Sequence, residues 1–312
     1  MNRSISNDGC LLPIAPGTTV ASITMLSITS LVGLLANARV CLLIRKHSDL
    51  RKVPHYLFCN LAVNGIFNSL LNLPSRLALT VIRLWDIPVS VDPACSVLGP
   101  SGFACDILNA VTLSLMAIDR QDCVLRPYKR RMSRNNILKV IALSWIGTLV
   151  LTSPIIFNSA RQLFDGCDVI PRFEKARHPI LTYVSILSNS FNIMSVLIIV
   201  VTALRILKRL RSSPLPKSNS HNRRHEKQLL WLTYKICGVF VVCKLPLFVY
   251  FPVGIFLGNS VPILPNVLAI VLLIPNIPYA VNPFLFHNML RPLQDIRRAA
   301  SDGRPRDIEV NH

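Results

Sequence analysis

Two acid and base couples stand where the patterning of this chain leaves little room for charge. Asp119 and Arg120 are adjacent, at the point where a long apolar stretch runs out into the basic segment Pro127-Tyr128-Lys129-Arg130-Arg131. Asp106 and Lys244 lie deep inside two different apolar stretches. The chemistry open to such groups is ion pairing, because no Ser/His/Asp set, no Cys/His metal spacing and no phosphate-cradling glycine loop accompanies them. No enzyme activity, metal centre or cofactor is expected.

The elements that carry these charges follow from composition. Mean hydropathy is +0.47 and 51% of the 312 residues are hydrophobic, more apolar surface than one soluble core of this length absorbs. Predominantly apolar windows of about 20 residues, long enough to cross a bilayer, fall roughly at 19–44, 55–82, 97–118, 137–158, 179–204, 228–257 and 262–287. Lipid offers no hydrogen-bond partners, so each window must satisfy its own backbone as an α-helix. The expected fold is an all-α membrane protein, a bundle of seven transmembrane helices over 19–287. A short N-terminal segment, 1–18, precedes it, without the basic region and small-residue cleavage site of a removable leader. After Phe286, Met289, Leu290, Leu293 and Ile296 recur at helical spacing with Arg291, Arg297 and Arg298 between them. That pattern predicts an amphipathic membrane-surface helix over 288–301, followed by a tail over 302–312. The polar stretch 211–226 reads as a loop.

Lysine and arginine set the orientation. The segments 45–53, 120–139, 205–227 and the tail from 288 carry 24 of them, against five on the opposite face. The basic face is therefore cytoplasmic and the N-terminus extracellular. A net charge of +19 would also fit nucleic acid, but here it is divided among short loops on one membrane face. Topology and attraction to anionic membrane lipids account for it, and no nucleic-acid partner is expected.

Six of the nine cysteines, Cys41, Cys59, Cys105, Cys123, Cys237 and Cys243, lie within apolar windows or, for Cys123, just past one, and read as small packing residues. Cys95 and Cys167 fall on the oxidising outer side, where a disulfide is expected. Cys10 is also outside and has no evident partner. Asn2-Arg3-Ser4 is a glycosylation sequon.

Lys244 is the most unusual residue. A charge near the bilayer centre costs about 2.5 to 3.5 kcal/mol on insertion scales and is usually paired or hydrated. Asp106 lies 11 residues inside Cys95, about 16 Å deep, and Lys244 about 13 residues inside the outer end of the sixth span, about 20 Å deep. The depths match to within side-chain reach, which makes Asp106 the expected partner. Contact of either residue with a charged ligand group, and snorkelling into a wet cavity, are the alternatives.

Read in order, the motifs resemble those of rhodopsin-like (class A) G-protein-coupled receptors across essentially the whole chain. The first span has Asn37 in Leu-Leu-Ala-Asn-Ala and the second Asn60-Leu61-Ala62. The third has Cys95, Asp119-Arg120 and then Pro127. The fourth has Trp145 and Pro154, and Trp85 stands in the first outer loop. The sixth has Phe240, Cys243, Lys244 and Pro246, and the seventh Asn282, Pro283 and Phe286. The resemblance implies a plasma-membrane receptor that binds an extracellular ligand and activates a heterotrimeric G protein as the sixth span swings outward.

It also implies roles. Arg120 would pair with Asp119 and with Glu226, twenty residues before Pro246, closing the inner face. Pro246 and Pro283 would serve as hinges, flanked by Phe240, Cys243, Asn282 and Phe286 as transmission residues. Asp106 and Lys244 would face one another at the pocket floor. Arg120, Pro127 and Tyr128 would meet the G protein.

Departures accompany the matches. Gly65 stands where the family has the sodium-binding aspartate, Gln121 and Phe286 replace tyrosines, Lys244 replaces a tryptophan, and the fifth span lacks the family's proline. Gly102 occupies the aspartate position of amine receptors and Asn276 the retinal lysine position of opsins. With mixed charge in the outer loops, a peptide or other small polar ligand is the expected class. A non-signalling seven-helix protein, such as a dimer partner or ligand scavenger, and a transporter or channel are the alternatives.

Overall fold

The computed structural model describes residues 15–47, 52–85, 92–126, 133–157, 179–212, 220–257 and 265–301. Among them the helices are α1 (Pro16–Lys46), α2 (Val53–Phe67), α3 (Leu73–Leu84), α4 (Asp92–Leu125), α5 (Arg134–Phe157), α6 (Pro179–Ser212), α7 (Ser220–Leu257), α8 (Pro265–Leu273) and α9 (Ile277–Ser301). A π turn, Asn68–Asn72, joins α2 to α3, and a 3-10 turn, Ile274–Asn276, joins α8 to α9. The result is seven rods. Six contain a helical stretch long and apolar enough to cross a membrane, in the seventh rod across its 3-10 turn, and the second rod is the one divided by the π turn.

Proline explains the division. Pro74 has no N–H to give the carbonyl four residues back, so the ladder shifts register just ahead of it. The neighbouring rod supplies a compensating bond, with Ser30 Oγ donating to the Ser69 carbonyl at 2.8 Å. Elsewhere the spans absorb their hydroxyls internally. Ser22, Thr112, Ser114, Thr152 and Thr233 each donate to the carbonyl four residues earlier at 2.6 to 2.9 Å, as an environment without water requires.

Several helices run past the apolar windows. The α7 helix begins at Ser220, so residues 220–226 are helix where the composition predicts loop. This extension of the helix carries Glu226. At the other end, α9 continues unbroken from the seventh span through Ser301.

The bundle is inside out relative to a soluble protein. Leu31, Leu35, Leu42, Leu143, Ile146 and Val150 are exposed on α1 and α5, a lipid-facing apolar surface. The interior mixes an apolar cluster containing Leu57, Leu113, Ile236, Phe240 and Phe286 with buried Asn37, Asn60, Asn64, Asn109, Thr112, Asn192 and Asn282. At its centre is α4, which packs most extensively on α6 and also meets α2, α3, α5 and α7. A node of side chains fixes it there. Trp145 Nε1 donates to Asn60 Oδ1 at 2.9 Å, and Asn60 Nδ2 donates to Thr112 Oγ1 at 2.8 Å, tying α5, α2 and α4 together.

Candidate functional site

Two ionic clusters sit on the central helix α4, one near its inner end and one near mid-membrane. At the inner end Arg120 Nε donates to Asp119 Oδ2 at 3.1 Å, with Nη2 on the same oxygen. Nη1 crosses to α7 and donates to Glu226 Oε2 at 3.0 Å. The guanidinium is 2% exposed and Asp119 4%, but Glu226 is 46% exposed. One arm of the cluster is therefore dry and local, while the arm that spans two helices is wet. Charge-assisted bonds of this kind hold geometry well, yet solvent screening limits what the wet arm contributes.

In the second cluster, Lys244 Nζ on α7 donates to Asp106 Oδ1 on α4. The other carboxylate oxygen accepts from Ser188 Oγ at 2.9 Å and from Asn192 Nδ2 at 2.7 Å, both on α6. Three rods thus converge on one carboxylate. Lys244 is 4% exposed and Asp106 20%, so the anion faces the remaining solvent while the cation is enclosed. The backbone beneath is also clamped. The Cys105 carbonyl accepts from Asn64 Nδ2 at 2.8 Å and from Tyr279 Oη at 3.1 Å, fixing the turn that presents Asp106.

A polar ladder approaches the same carboxylate from the second rod. Asn72 Nδ2 donates to Asn68 Oδ1 at 2.7 Å, and Arg76 Nε meets Asn72 Oδ1 at 3.4 Å. Arg76 lies within the field of Asp106. Gly102 makes room for this ladder, since a Cβ there would stand 3.1 Å from Asn72 Oδ1. Arg76 thus brings a second cation toward the pair formed by Asp106 and Lys244.

The remaining sequence-derived residues fall into two groups. Phe240, Cys243 and Pro246 lie along α7, with Phe240 fully buried. Asn282, Pro283 and Phe286 lie along α9; the Phe286 ring packs on Phe58 at 5.0 Å between centroids, tilted by 45°. Cys41, Cys59, Cys105, Cys123, Cys237 and Cys243 are free thiols. Pro127, Tyr128 and Cys167 lie outside the described residues, and of Cys95 only the backbone, within α4, is described. Among the described residues no group of His, Cys, Asp and Glu could hold a metal ion.

Ser188, Asn192, Asn72 and Arg76 are the participants that sequence reasoning missed. Ser188 and Asn192 are four residues apart, one helical face of an otherwise apolar window, which is the signal that could have found them. Asn68, Asn72 and Arg76 repeat the same four-residue spacing in the second rod.

Comparison with known proteins agrees with this architecture. The chain is 28% identical over 233 residues to neuropeptide Y receptor type 2 of Cavia porcellus, covering 70% of this chain and 58% of that protein. The human neuropeptide Y receptor type 2 is 26% identical over 232 residues, with the same coverage. Somatostatin receptor type 4 of Rattus norvegicus is 25% identical over 269 residues, covering 83% of this chain and 67% of the relative. The chain thus spans under two thirds of the length of the neuropeptide Y receptors it matches. Residues 36–286 match the family described as 7 transmembrane receptor (rhodopsin family), and with seven rods, a basic inner face and an inner-mouth cluster built on Asp119-Arg120, the chain belongs to the rhodopsin family of seven-transmembrane receptors.

Proposed function

We propose that this protein is a cell-surface receptor that binds an extracellular ligand and activates heterotrimeric G proteins through outward movement of α7. The observation that carries this reading is the inner-mouth cluster. Arg120, 2% exposed, is held by Asp119 of its own helix and by Glu226 of α7, so separating α7 from α4 breaks one arm and leaves the other. A contact of that form is a bistable element that a ligand can bias. Asp106 and Lys244 join the same two helices one membrane half higher, which connects a ligand on the outer side to the position of α7.

The relatives are named as neuropeptide Y and somatostatin receptors, which favours a peptide ligand over other small polar molecules. Cys95 and Cys167 are proposed to form the outer disulfide. Tyr128 and Pro127 are proposed to meet the G protein beside Arg120, and 288–301, continuous with α9, to turn its amphipathic face to the inner membrane surface. One observation favours a second reading as a non-signalling dimer partner or scavenger: Gly65, Gln121 and Phe286 stand where the family's polar support for the active state would be.

The test is G-protein activation in cells, basal and under a peptide library, for the wild type and Arg120→Ala at equal surface expression. The receptor reading requires a response that Arg120→Ala abolishes. A response unchanged by Arg120→Ala, or silence against the whole library with no basal activity, overturns it.

A further inference from the structure

The inner end of the bundle holds a cavity of about 490 Å³ between α7 and α9 that takes no part in either ionic cluster. Lys227, Gln228, Trp231 and Lys235 line it from α7, and Asn288 and Met289 from α9. Its chemistry is of one sign, two ammonium groups and two carboxamides with no acid in the lining. Lys227, Trp231 and Lys235 recur every four residues and are all exposed, so they form one outward stripe on the helix.

Lys235 is the residue that needs explaining. It lies inside the span Glu226–Val249, nine residues from its inner end and so about 13 Å along the axis. An exposed ammonium at that depth requires an anion or a path to the interface. Among the described residues neither Lys235 nor Lys227 has a carboxylate partner, and the nearby Glu226 is engaged by Arg120. Both lysine stems are flexible enough to bring their heads together at the level of Trp231. That ring is 61% exposed, and tryptophan favours the boundary between headgroups and acyl chains.

We infer that this cavity is a binding site for the phosphate headgroup of an anionic phospholipid of the inner leaflet. Lys227 and Lys235 hold the phosphate from below and above, Gln228 and Asn288 donate amide hydrogens to it, and the acyl chains follow the exposed Trp231 and the Met289 side of the groove. A lipid is favoured over a free phosphate because the exposed Trp231 ring stands between the two lysines and offers acyl chains an apolar surface beside the phosphate. The inference rests on this cavity and the membrane topology and does not require that the protein signal.

The full chain would be reconstituted in phosphatidylcholine nanodiscs containing a minor fraction of phosphatidylglycerol, then extracted, and the retained lipid identified by native mass spectrometry. The wild type should retain phosphatidylglycerol selectively. Lys227→Gln with Lys235→Gln should lower the retained fraction by about an order of magnitude, while Lys208→Gln with Arg209→Gln, an equal loss of charge elsewhere on the inner face, leaves it unchanged. Equal retention in wild type and the first double variant overturns the site, as does equal loss in the control. Displacement by millimolar inorganic phosphate would reassign it to a soluble anion and overturn the lipid. Should the first variant fail to fold, photoactivatable phosphatidylglycerol on the wild type decides: label must fall within 227–235 or 288–289, and label found only elsewhere refutes the site.

Discussion

The carboxamide of Asn37 fills the space that a side chain at Gly65 would need: a Cβ there would stand 2.6 Å from Asn37 Nδ2 and 2.7 Å from its Cγ. Asn37 has no freedom to retreat, because Nδ2 donates to Gly33 O at 2.7 Å and to Tyr279 O at 2.8 Å, joining the first rod to the seventh. The chain has not merely lost the aspartate its family carries in the second span; it has closed the vacated space with a neighbour. Gly65→Ala should therefore destabilise the receptor by about 1 to 3 kcal/mol through overpacking. Asn37→Ala should cost about 1 kcal/mol for each lost bond. The double variant should be more stable than the sum of the two losses, because shortening Asn37 clears the obstruction. Thermal unfolding of the purified protein measures all three, and strict additivity would show that the carboxamide is not the obstacle.

Asp106 and Lys244 are not equivalent partners, and their variants should differ. In Lys244→Met the carboxylate keeps the bonds from Ser188 and Asn192 and its partial contact with solvent. In Asp106→Asn the enclosed ammonium of Lys244 loses its anion with nothing comparable to replace it. Stranding a buried charge costs about 3 to 5 kcal/mol, so Asp106→Asn should reduce surface expression and melting temperature well below Lys244→Met. Adding Lys244→Met to Asp106→Asn should recover most of that loss. Equal damage from the two single variants would mean that Asp106 depends on Lys244 as much as the reverse.

The charges and the spans were legible in the sequence because lipid imposes a rule that reads without coordinates: apolar runs become helices, and charges within them need partners. Lys244 could be matched to Asp106 by depth along two helices, since rise per residue is constant. Ser188 and Asn192 escaped because serine and asparagine are tolerated in a span for several reasons, including bonding to their own backbone, as Ser190 does with Ile186 O at 2.8 Å. Rotation about a helix axis decides between these uses, and without the proline its family carries, the fifth span offered nothing to fix that rotation. The π turn at Asn68–Asn72 escaped for a related reason. Pro74 announces a disturbance, but whether the helix bends, breaks or takes an extra residue depends on the Ser30 hydroxyl from another rod.

Trp145 reaches Asn60 from the fourth rod, and the bond has a use beyond packing. Asn60 donates to Thr112 while accepting from Trp145, so its amide orientation is fixed at both ends. Trp145→Phe keeps the ring contact with Phe67, whose centroid lies 5.1 Å away, but removes the N–H. The expected cost is about 1 kcal/mol, the net contribution of one hydrogen bond. Trp145→Ala removes both contacts and should cost several times more. Melting temperatures in detergent distinguish the two, and equal losses would place the whole contribution in the indole nitrogen.

The inner-mouth cluster predicts an order of basal activities if the receptor reading holds. Glu226 is 46% exposed, and ion pairs that wet contribute about 0 to 1 kcal/mol. Glu226→Gln should therefore raise basal G-protein activation by no more than about fivefold, the factor that corresponds to 1 kcal/mol. Asp119→Asn acts on the dry arm, where Arg120 is 2% exposed and the carboxylate 4%. Losing that charge frees the guanidinium from its stronger partner, so basal activity should rise further, accompanied by a fall in melting temperature that Glu226→Gln does not show. Arg120→Ala removes the group that both acids hold and should be silent at normal surface expression. Activation measured with matched receptor numbers orders the three variants. If Glu226→Gln exceeded Asp119→Asn, the contact across the two helices, despite its exposure, would be the stronger restraint on α7.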